Sequence, residues 1–323
     1  MNDTHSMFGV DSVELKVRVS NRRALTSDVV EFCLEALDGS ALPGFSPGAH
    51  IAVQTPSGAV RQYSLIGTGA PSDEYRIAIK REPDSRGGSS SMIEDAQIGA
   101  GLTVSEPKND FVLEEHDKYL FIAAGIGITP IYTMAQRAQT HGAQFRIIYL
   151  ARTAESAPYL NELTEQFGEH LVAHFTMGNS ADRYDFWDDF ASPSEELVYC
   201  CGPKALIEQI KDVSGHWPEG SVRFEDFKPV EAVRADDRPF EVELRKSGKT
   251  FTVPADRSII EAMRANGVAT TSSCESGTCG TCKVGLVSGE VDHRDLVLSD
   301  ADKASHIMIC VSRAASGGLV LDL

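Results

Sequence analysis

The sequence lacks the features that would place the protein in a membrane or on a nucleic acid. No apolar run approaches the roughly 18 residues that a membrane-spanning helix needs. The first residues have neither the basic start nor the apolar core of a signal peptide. Positive charge is scarce, because 30 Lys and Arg residues face 47 Asp and Glu residues and the net charge is −17. We therefore expect a cytoplasmic protein that binds no nucleic acid and no membrane.

A disulfide framework is also missing. The chain has seven cysteines, an odd number, and shows no secretory signal. Cys33 and Cys200 lie in segments that read as strands, where a free cysteine packs as a small apolar residue. The last 50 residues contain Cys274, Cys279, Cys282 and Cys310. This concentration of cysteines near the end is the first indication of a chemical function.

The distribution of hydrophobic residues predicts three domains within the 323 residues. Short strand-like segments separated by Gly and Pro predict a small antiparallel barrel, with strands at 13–19, 29–35, 50–54, 60–66 and 75–81. Strands at 119–124, 145–151, 171–175 and 197–201 alternate with helices at 129–140, 157–167 and 204–213, which indicates a parallel α/β sheet. A polar segment without periodicity then precedes a compact third domain, with a hairpin at 240–253 and a helix at 259–265.

The cysteine spacing predicts an iron–sulfur cluster. Four residues separate Cys274 from Cys279, two separate Cys279 from Cys282, and 27 more precede Cys310. This is the spacing with which four thiolates hold a plant-type [2Fe–2S] cluster, and Gly277 and Gly280 allow the sharp turns of such a loop. A structural zinc site is the alternative, although only one pair has the C-x-x-C spacing of a zinc knuckle.

Two glycine-containing turns follow predicted strands of the α/β region. The first is Gly125-Ile-Gly127-Ile-Thr129-Pro130 and the second is Cys201-Gly202-Pro203. Glycines between a strand and a helix N-terminus let a phosphate approach the backbone. The first turn does not complete the dinucleotide fingerprint, so a plain tight turn is the alternative. Because ligands bind at the carboxyl ends of parallel strands, the two turns together favour one shared crevice.

The barrel region carries two further patterns. Gly87-Gly88-Ser89 opens a predicted helix near Lys80 and Arg86, which suits a single phosphate monoester and hence FMN more than FAD. A solvated glycine loop is the alternative. The run Arg61-Gln62-Tyr63-Ser64 lies in a predicted strand and, by itself, reads as an ordinary surface strand.

Taken together, these motifs resemble known families. Residues 239–323 resemble plant-type ferredoxins, and the Arg-x-Tyr-Ser run with the two glycine turns resembles the ferredoxin–NADP reductase superfamily. The order of the three parts is similar to that of the phthalate dioxygenase reductase family. The resemblance implies an N-terminal antiparallel flavin-binding barrel (1–112), a central parallel α/β nicotinamide-binding domain (113–228), a linker (229–238) and a C-terminal β-grasp-like [2Fe–2S] ferredoxin domain (239–323).

The resemblance also implies which residues hold each cofactor. Those for FMN are Arg61, Gln62, Tyr63, Ser64, Ala78, Ile79, Lys80, Gly87, Gly88, Ser89, Thr129 and Phe227. Those for NADH are Gly125, Gly127, Thr129, Pro130, Arg152, Cys201, Gly202 and Pro203. The cluster ligands are Cys274, Cys279, Cys282 and Cys310. Ser64, beside the flavin ring, and Cys201, beside the nicotinamide, are the catalytic candidates.

The implied activity is electron transfer from NADH through FMN and the [2Fe–2S] cluster to the terminal oxygenase of a Rieske-type system, acting on an aromatic or other small substrate. Thr176 and Asn179 stand where NADH-using members commonly have an acidic residue, so NADH over NADPH is an expectation. We expect a monomer. The alternatives are a reductase for another acceptor, such as a demethylating monooxygenase, and a non-enzymatic flavin and iron–sulfur redox sensor.

The cysteine assignment leads to a first prediction. Replacing a cluster ligand by Cys310→Ser interrupts the path after the flavin, so flavin reduction by NADH remains while reduction of cytochrome c through the cluster is abolished. Stopped-flow absorbance and a steady-state cytochrome c assay measure the two steps separately. Equal loss of both activities contradicts a linear path.

Overall fold

The computed structural model describes residues 13–82, 87–227, 232–234, 236–272, 277, 280–295 and 297–323. These residues form two compact units that divide after Phe227. The larger unit contains the predicted barrel and the predicted α/β domain, and the smaller one contains the cysteine-rich region. Within the described ranges, no helix combines the length and the apolar character needed to cross a membrane.

The first part of the larger unit is an antiparallel barrel. Its elements are β1 (Glu14–Ala24), β2 (Val29–Ala36), β3 (His50–Gln54), β4 (Val60–Ser64), β5 (Glu74–Lys80), α1 (Gly88–Asp95) and β6 (Gly101–Ser105). The strand order is β4-β3-β6-β1-β2-β5, and a bridge between Ile66 and Arg76 links the two outer strands. The five predicted strands are confirmed. The sequence pattern missed β6, because its Gly-Leu-Thr-Val-Ser segment has only two large apolar residues.

The second part is a parallel α/β sheet. Its elements are β7 (Lys118–Ala124), α2 (Ile128–Thr140), β8 (Gln144–Ala151), α3 (Leu160–Phe167), β9 (Leu171–Phe175), α4 (Trp187–Phe190), β10 (Leu197–Cys201), α5 (Lys204–Ser214) and β11 (Val222–Glu225). In the strand order β11-β10-β7-β8-β9, β8 and β9 lie on one side of β7, and β10 and β11, which come later in the chain, lie on the other side. The switch point, where such sheets bind ligands, therefore lies between β7 and β10.

One helix of this sheet begins later than the sequence predicts. The pattern predicts a helix over 157–167, but α3 begins at Leu160. Pro158 disfavours helical backbone at Ala157, and Tyr159 has a left-handed φ of 62° with a buried side chain. The buried position of the tyrosine ring thus overrides the helical pattern.

The smaller unit contains a mixed five-stranded sheet. Its elements are β12 (Phe240–Leu244), β13 (Thr250–Val253), α6 (Ile259–Ala265), β14 (Lys283–Asp292), α7 (Asp300–Lys303), β15 (His306–Met308) and β16 (Arg313–Leu321), in the order β13-β12-β16-β14-β15. The predicted hairpin is confirmed as β12 and β13, and β12 pairs in parallel with β16. Ser258 and Glu261 form a capping box that fixes the start of α6. The predicted fold class is confirmed.

A buried ionic network ties part of the predicted linker to the smaller unit. Arg294 donates two hydrogen bonds to Asp237, of 2.6 and 2.9 Å, and one to the carbonyl oxygen of Ala232. Arg313 lies 3.3 Å from the same carboxylate, and the three charged side chains are at most 6% exposed. The hydrogen bonds from Arg294 lower the pKa of Asp237 to about 2. Asp237 therefore joins the chain before β12 to the segment just after β14 and to the start of β16.

This network predicts a pH-dependent contribution to stability. Asp237→Asn removes the carboxylate that the buried Arg313 faces and leaves Arg294 with that of Asp292 alone, so we expect a loss of about 3 kcal/mol at pH 7. Because the folded pKa of about 2 lies below that of an unfolded aspartate, the stabilisation is complete at neutral pH and disappears as the pH falls through that value. Urea unfolding at pH 7 and pH 3, followed by circular dichroism, measures the difference between variant and wild type.

The matched control is Asp300→Asn, which removes a fully exposed carboxylate from the same unit. Its effect on the free energy of unfolding is within about 0.5 kcal/mol. An Asp237→Asn loss that is the same at both pH values is incompatible with an ionised, paired carboxylate.

Candidate functional site

The two glycine turns meet at the switch point of the parallel sheet. Cys201 at the end of β10 is in register with Ala123 near the end of β7. A Cβ atom placed on Gly127 would lie only 2.3 Å from the carbonyl oxygen of Cys201, so the two turns are in direct backbone contact. Gly202 is also closely packed, because a Cβ there would lie 2.9 Å from Leu206. The structure thus brings together the two motifs that the sequence places 75 residues apart.

The two glycines of the first turn serve different purposes. Gly127 has φ −61°, which any residue can adopt, so it is glycine because of the space taken by Cys201. Gly125 has φ +53° and open space where a side chain would stand. Thr129 and Pro130 are buried in the first turn of α2, and the Thr129 hydroxyl donates to the carbonyl oxygen of Ile126. Gly125 is therefore the position at which a ligand can approach the backbone.

A carboxyl group faces Cys201 from the neighbouring strand. Glu225 ends β11 in register with Cys201, and its Oε2 lies 3.8 Å from the Cys201 Sγ. Burial, together with the Glu225 carboxyl beside it, raises the pKa of the Cys201 thiol well above its usual value. Burial also raises the pKa of Glu225 to about 8. At neutral pH both groups hold their protons, so Cys201 is a neutral thiol and Glu225 is a neutral acid.

Glu225 is the site residue that the sequence analysis missed. It lies in the segment 223–227, where only Phe227 drew attention as an aromatic residue. The hydrophobic pattern predicts no strand in this segment, so the pairing of Glu225 with Cys201 could not be predicted from the sequence. An acidic residue two positions before an aromatic, after the last helix of a parallel sheet, is the signal available in the sequence.

Arg152 and Phe227 lie at the carboxyl ends of their strands. Arg152 directly follows β8, and its carbonyl oxygen accepts a hydrogen bond of 2.8 Å from the N–H of Met177. Asn179 caps the next short turn through the N–H of Ala181 and donates to Asp182. Phe227 is two residues beyond β11 and is 39% exposed.

The Arg-x-Tyr-Ser run forms the end of β4. Its Tyr63 and Ser64 hydroxyl oxygens are buried and have no hydrogen-bond partner among the described residues. Buried polar atoms in native structures nearly always have a partner. Burial also raises the pKa of Tyr63, so its hydroxyl stays protonated. These two neutral hydroxyls can form hydrogen bonds with a ligand whose ring has polar edges, such as the ring of FMN.

The other predicted flavin residues lie on β5 and at the start of α1, next to β4. Ala78, Ile79 and Lys80 belong to β5, and α1 packs against both β4 and β5. Gly87 precedes α1 with a left-handed φ of 83°. A Cβ on Gly88 would lie 3.0 Å from Nε of Arg61, so this cation lies against the first residue of the helix. Helix N-terminus and arginine together favour an anion such as a phosphate. Arg86, predicted to flank it, lies outside the described residues.

Direct contacts connect the barrel to the α/β sheet within the larger unit. The Thr133 hydroxyl, on α2, donates to the carbonyl oxygen of Leu65 at 3.1 Å and accepts from the N–H of Gly67 at 3.4 Å. On another side, the Tyr159 hydroxyl donates to the buried carboxylate of Glu31 at 2.8 Å. Helix α2, after the first glycine turn, is therefore fixed against the end of β4, the strand that carries the Tyr63 and Ser64 hydroxyls.

Two of the four predicted cluster cysteines are described, and they lie side by side. Cys282 directly precedes β14 and Cys310 follows β15, and the Lys283–Met308 pair joins these strands. The N–H of Ile309 donates to the carbonyl oxygen of Cys282 at 3.2 Å. Both thiols are buried, and both glycines of the loop have left-handed backbones. Cys274 and Cys279 lie outside the described residues. Two buried thiols on paired segments of backbone fit two of the ligands of a [2Fe–2S] cluster.

Comparisons with known proteins agree with this arrangement. Residues 121–212 match the oxidoreductase NAD-binding domain, and residues 242–315 match the 2Fe-2S iron-sulfur cluster binding domain. The chain is 42% identical to phthalate dioxygenase reductase from Burkholderia cepacia over 96% of its own length and 97% of that protein. The chain belongs to the phthalate dioxygenase reductase family. A solved structure of a phthalate dioxygenase reductase superposes with a TM-score of 0.86 at 41% identity, over 96% of this chain and 98% of that one.

A second relative extends the range of this family. The vanillate O-demethylase oxidoreductase from Pseudomonas sp. (strain HR199 / DSM 7063) is 36% identical over 96% of this chain and all of that protein. As a member of the phthalate dioxygenase reductase family, the chain is an NADH-dependent oxidoreductase with FMN and a [2Fe–2S] cluster, and an electron-transfer reductase for an oxygenase. These expectations from the sequence are confirmed, and the zinc alternative for the cysteines is set aside.

The contact between the two turns leads to a prediction for this family member. Gly127→Ala forces the first turn away from the Cys201 carbonyl, so we expect kcat/KM for NADH to fall about ten- to a hundredfold. NADH-dependent reduction of ferricyanide, which takes electrons before the cluster, measures the change. Gly215→Ala is the control, because Gly215 has nearly the same φ of −60° but 3.6 Å to its nearest neighbour. If both variants behave like wild type, the close approach is irrelevant to nucleotide binding.

Proposed function

We propose that the protein passes electrons from NADH through FMN and its [2Fe–2S] cluster to a Rieske-type terminal oxygenase that acts on a small aromatic compound, and that it works as a monomer. The hydroxyls of Tyr63 and Ser64, which are buried and have no hydrogen-bond partner in the described part of the chain, are the observation that carries the flavin part of this proposal. The similarity to phthalate dioxygenase reductase over nearly the whole chain supports the aromatic class of substrate. We keep residues 1–112, 113–228 and 239–323 as the three functional domains.

Within this proposal, the barrel binds FMN through complementary groups. Arg61 and the start of α1, with Gly87, Gly88 and Ser89, hold the phosphate. The hydroxyls of Tyr63 and Ser64 bond the ring edge, and Phe227 returns an aromatic side chain to it. FMN, when bound, accepts a hydride from NADH and releases electrons one at a time to the cluster. The side chains position the reactants, so the rate advantage comes from proximity and orientation.

The nicotinamide nucleotide binds at the switch point between β7 and β10. Gly125 and the N-terminus of α2 receive the pyrophosphate, because a left-handed glycine with open space lets it reach the backbone donors. Arg152 and the loop after β9 then contact the adenosine part. Asp182, held by Asn179 at 3.0 Å, is a carboxylate in this loop that disfavours a 2′-phosphate. These features support NADH as the donor.

Neither Cys201 nor Glu225 forms a bond to carbon in this proposal. The raised thiol pKa keeps Cys201 neutral, so it fills space beside the nicotinamide without acting as a nucleophile. Reduction of a flavin by NADH consumes one proton in addition to the hydride. Glu225, with a pKa of about 8, holds a proton at neutral pH next to the turn that shapes the nicotinamide site. We assign to it the role of proton reservoir.

One alternative electron acceptor also has support from the comparisons. The similarity to the vanillate O-demethylase oxidoreductase favours a demethylating oxygenase as the second candidate partner. Both candidates require the same order of cofactors within this chain.

An anaerobic titration of the purified protein with NADH tests the proposed path. We expect loss of the flavin absorbance together with the electron paramagnetic resonance signal of a reduced [2Fe–2S] cluster, followed by reoxidation on addition of an oxidised Rieske-type oxygenase. A flavin that is reduced without the cluster signal contradicts the path within the chain. A fully reduced chain that does not reduce Rieske-type oxygenases contradicts the proposed partner only.

A further inference from the structure

Helix α1, which begins at the proposed phosphate site, has a sequence that does not stabilise a helix. It spans eight residues, Gly-Ser-Ser-Ser-Met-Ile-Glu-Asp, whereas isolated helices shorter than about 12 residues are marginal even with good helix formers. No side chain among the described residues caps its N-terminus, and its first turn has no acidic residue. Its acidic residues, Glu94 and Asp95, lie in the last turn, where the helix dipole disfavours them. Contacts from elsewhere must hold it.

At the carboxyl end of α1, each of the last four carbonyl oxygens has a hydrogen-bond partner. Each helix leaves its last four carbonyl oxygens without partners inside the helix. Here the N–H of Ala96 donates to Met92, and the backbone N–H and side-chain amide of Gln97 donate to Asp95 and Glu94. The remaining oxygen, that of Ile93, accepts from an arginine of the barrel wall.

That arginine is Arg22 on β1. Its Nη2 donates to the carbonyl oxygen of Ile93 at 2.5 Å, and its Nη1 donates to Oε1 of Gln97 at 2.5 Å. The guanidinium carbon lies 5.0 Å from the ring centre of Phe32, and its Nε is buried. Both of these hydrogen bonds go to neutral oxygens. The positive charge is therefore directed at the negative end of the helix dipole.

We propose that Arg22 is a positioning residue for FMN that acts on the phosphate through α1. It fixes the helix by its last turn and offsets the partial negative charge at that end, about 12 Å along the axis from the first residue. The first turn can then remain without a side-chain cap and without acidic residues. Its backbone N–H groups are left to donate to the phosphate. The inference rests on the proposed function only in placing the FMN phosphate at the start of α1.

A comparison of two flavins separates this role from a purely structural one. The full-length holoprotein is prepared with FMN or, after exchange, with riboflavin, which lacks the phosphate. Fluorescence of the free flavin on serial dilution gives each Kd. For Arg22→Met, which keeps the packing on Phe32, we expect the Kd of FMN to rise about tenfold, equivalent to about 1.4 kcal/mol, and that of riboflavin to stay within about twofold. Arg22→Lys keeps the charge and recovers part of the FMN affinity.

Arg18→Met is the matched control. Arg18 lies on the same strand and pairs with Glu35 at 2.9 Å on the exposed side, so its loss removes the same charge without touching α1. The Kd values of both flavins remain those of wild type in this control. Equal weakening of FMN and riboflavin in Arg22→Met, or no weakening of either, overturns the proposal. Should Arg22→Met not fold, Arg22→Lys decides by the same FMN-to-riboflavin ratio.

Failure of this inference can be told apart from failure of the proposed function. If the wild type binds riboflavin as tightly as FMN, the phosphate has no site at α1 and the inference fails, whether or not NADH reduces the flavin. If the FMN-specific loss is found but NADH does not reduce the wild-type flavin, the role of Arg22 stands and the proposed electron path fails.

Discussion

The nucleotide half of this protein depends on a single backbone contact, the one between Gly127 and the carbonyl group of Cys201. It closes the switch point of the parallel sheet, and it is possible only because Gly127 has no side chain. The contact lies at the end of the parallel ladder that joins β10 to β7, and pairing of β10 with β11 brings Glu225 to Cys201. On the other side, α2 begins at this contact and carries Thr133 to the loop after β4. The close approach and the Thr133 hydrogen bonds together connect the nicotinamide turns to the flavin strand.

Two carboxyl groups show how the surroundings decide the state of a buried acid. Glu225 has a buried thiol as its neighbour, and desolvation raises its pKa to about 8. Asp237 accepts charge-assisted hydrogen bonds from Arg294, and its pKa falls to about 2. The first group changes protonation close to physiological pH and is suited to a reaction that consumes protons. The second stays ionised and is suited to holding chain segments together.

Local patterns in the sequence predict the motifs and most of the strands and helices. They do not predict contacts between residues that are distant in the chain. Strands β9 and β10 and helix α6 have the predicted bounds, because their apolar residues and flanking turn or capping residues are local signals. Glu225 and Arg22 were missed, because their roles depend on strand register and on a helix end 71 residues away along the chain. Helix α3 was predicted too long, because the buried ring of Tyr159 imposes a left-handed backbone that no periodicity reveals.

The design of α1 explains why a helix at a phosphate site needs support from elsewhere. A side-chain cap or an acidic residue in the first turn stabilises a helix, but it occupies or repels the position that a phosphate requires. Serines and glycine leave that position open and give little helical propensity in return. Packing against β4 and β5 supplies part of the missing stability, and the opposite end supplies more, because a cation and a complete set of carbonyl partners there do not compete with the ligand. Arg22 and Gln97 supply both, so ligand affinity at one end of α1 and capping at the other are parts of the same constraint.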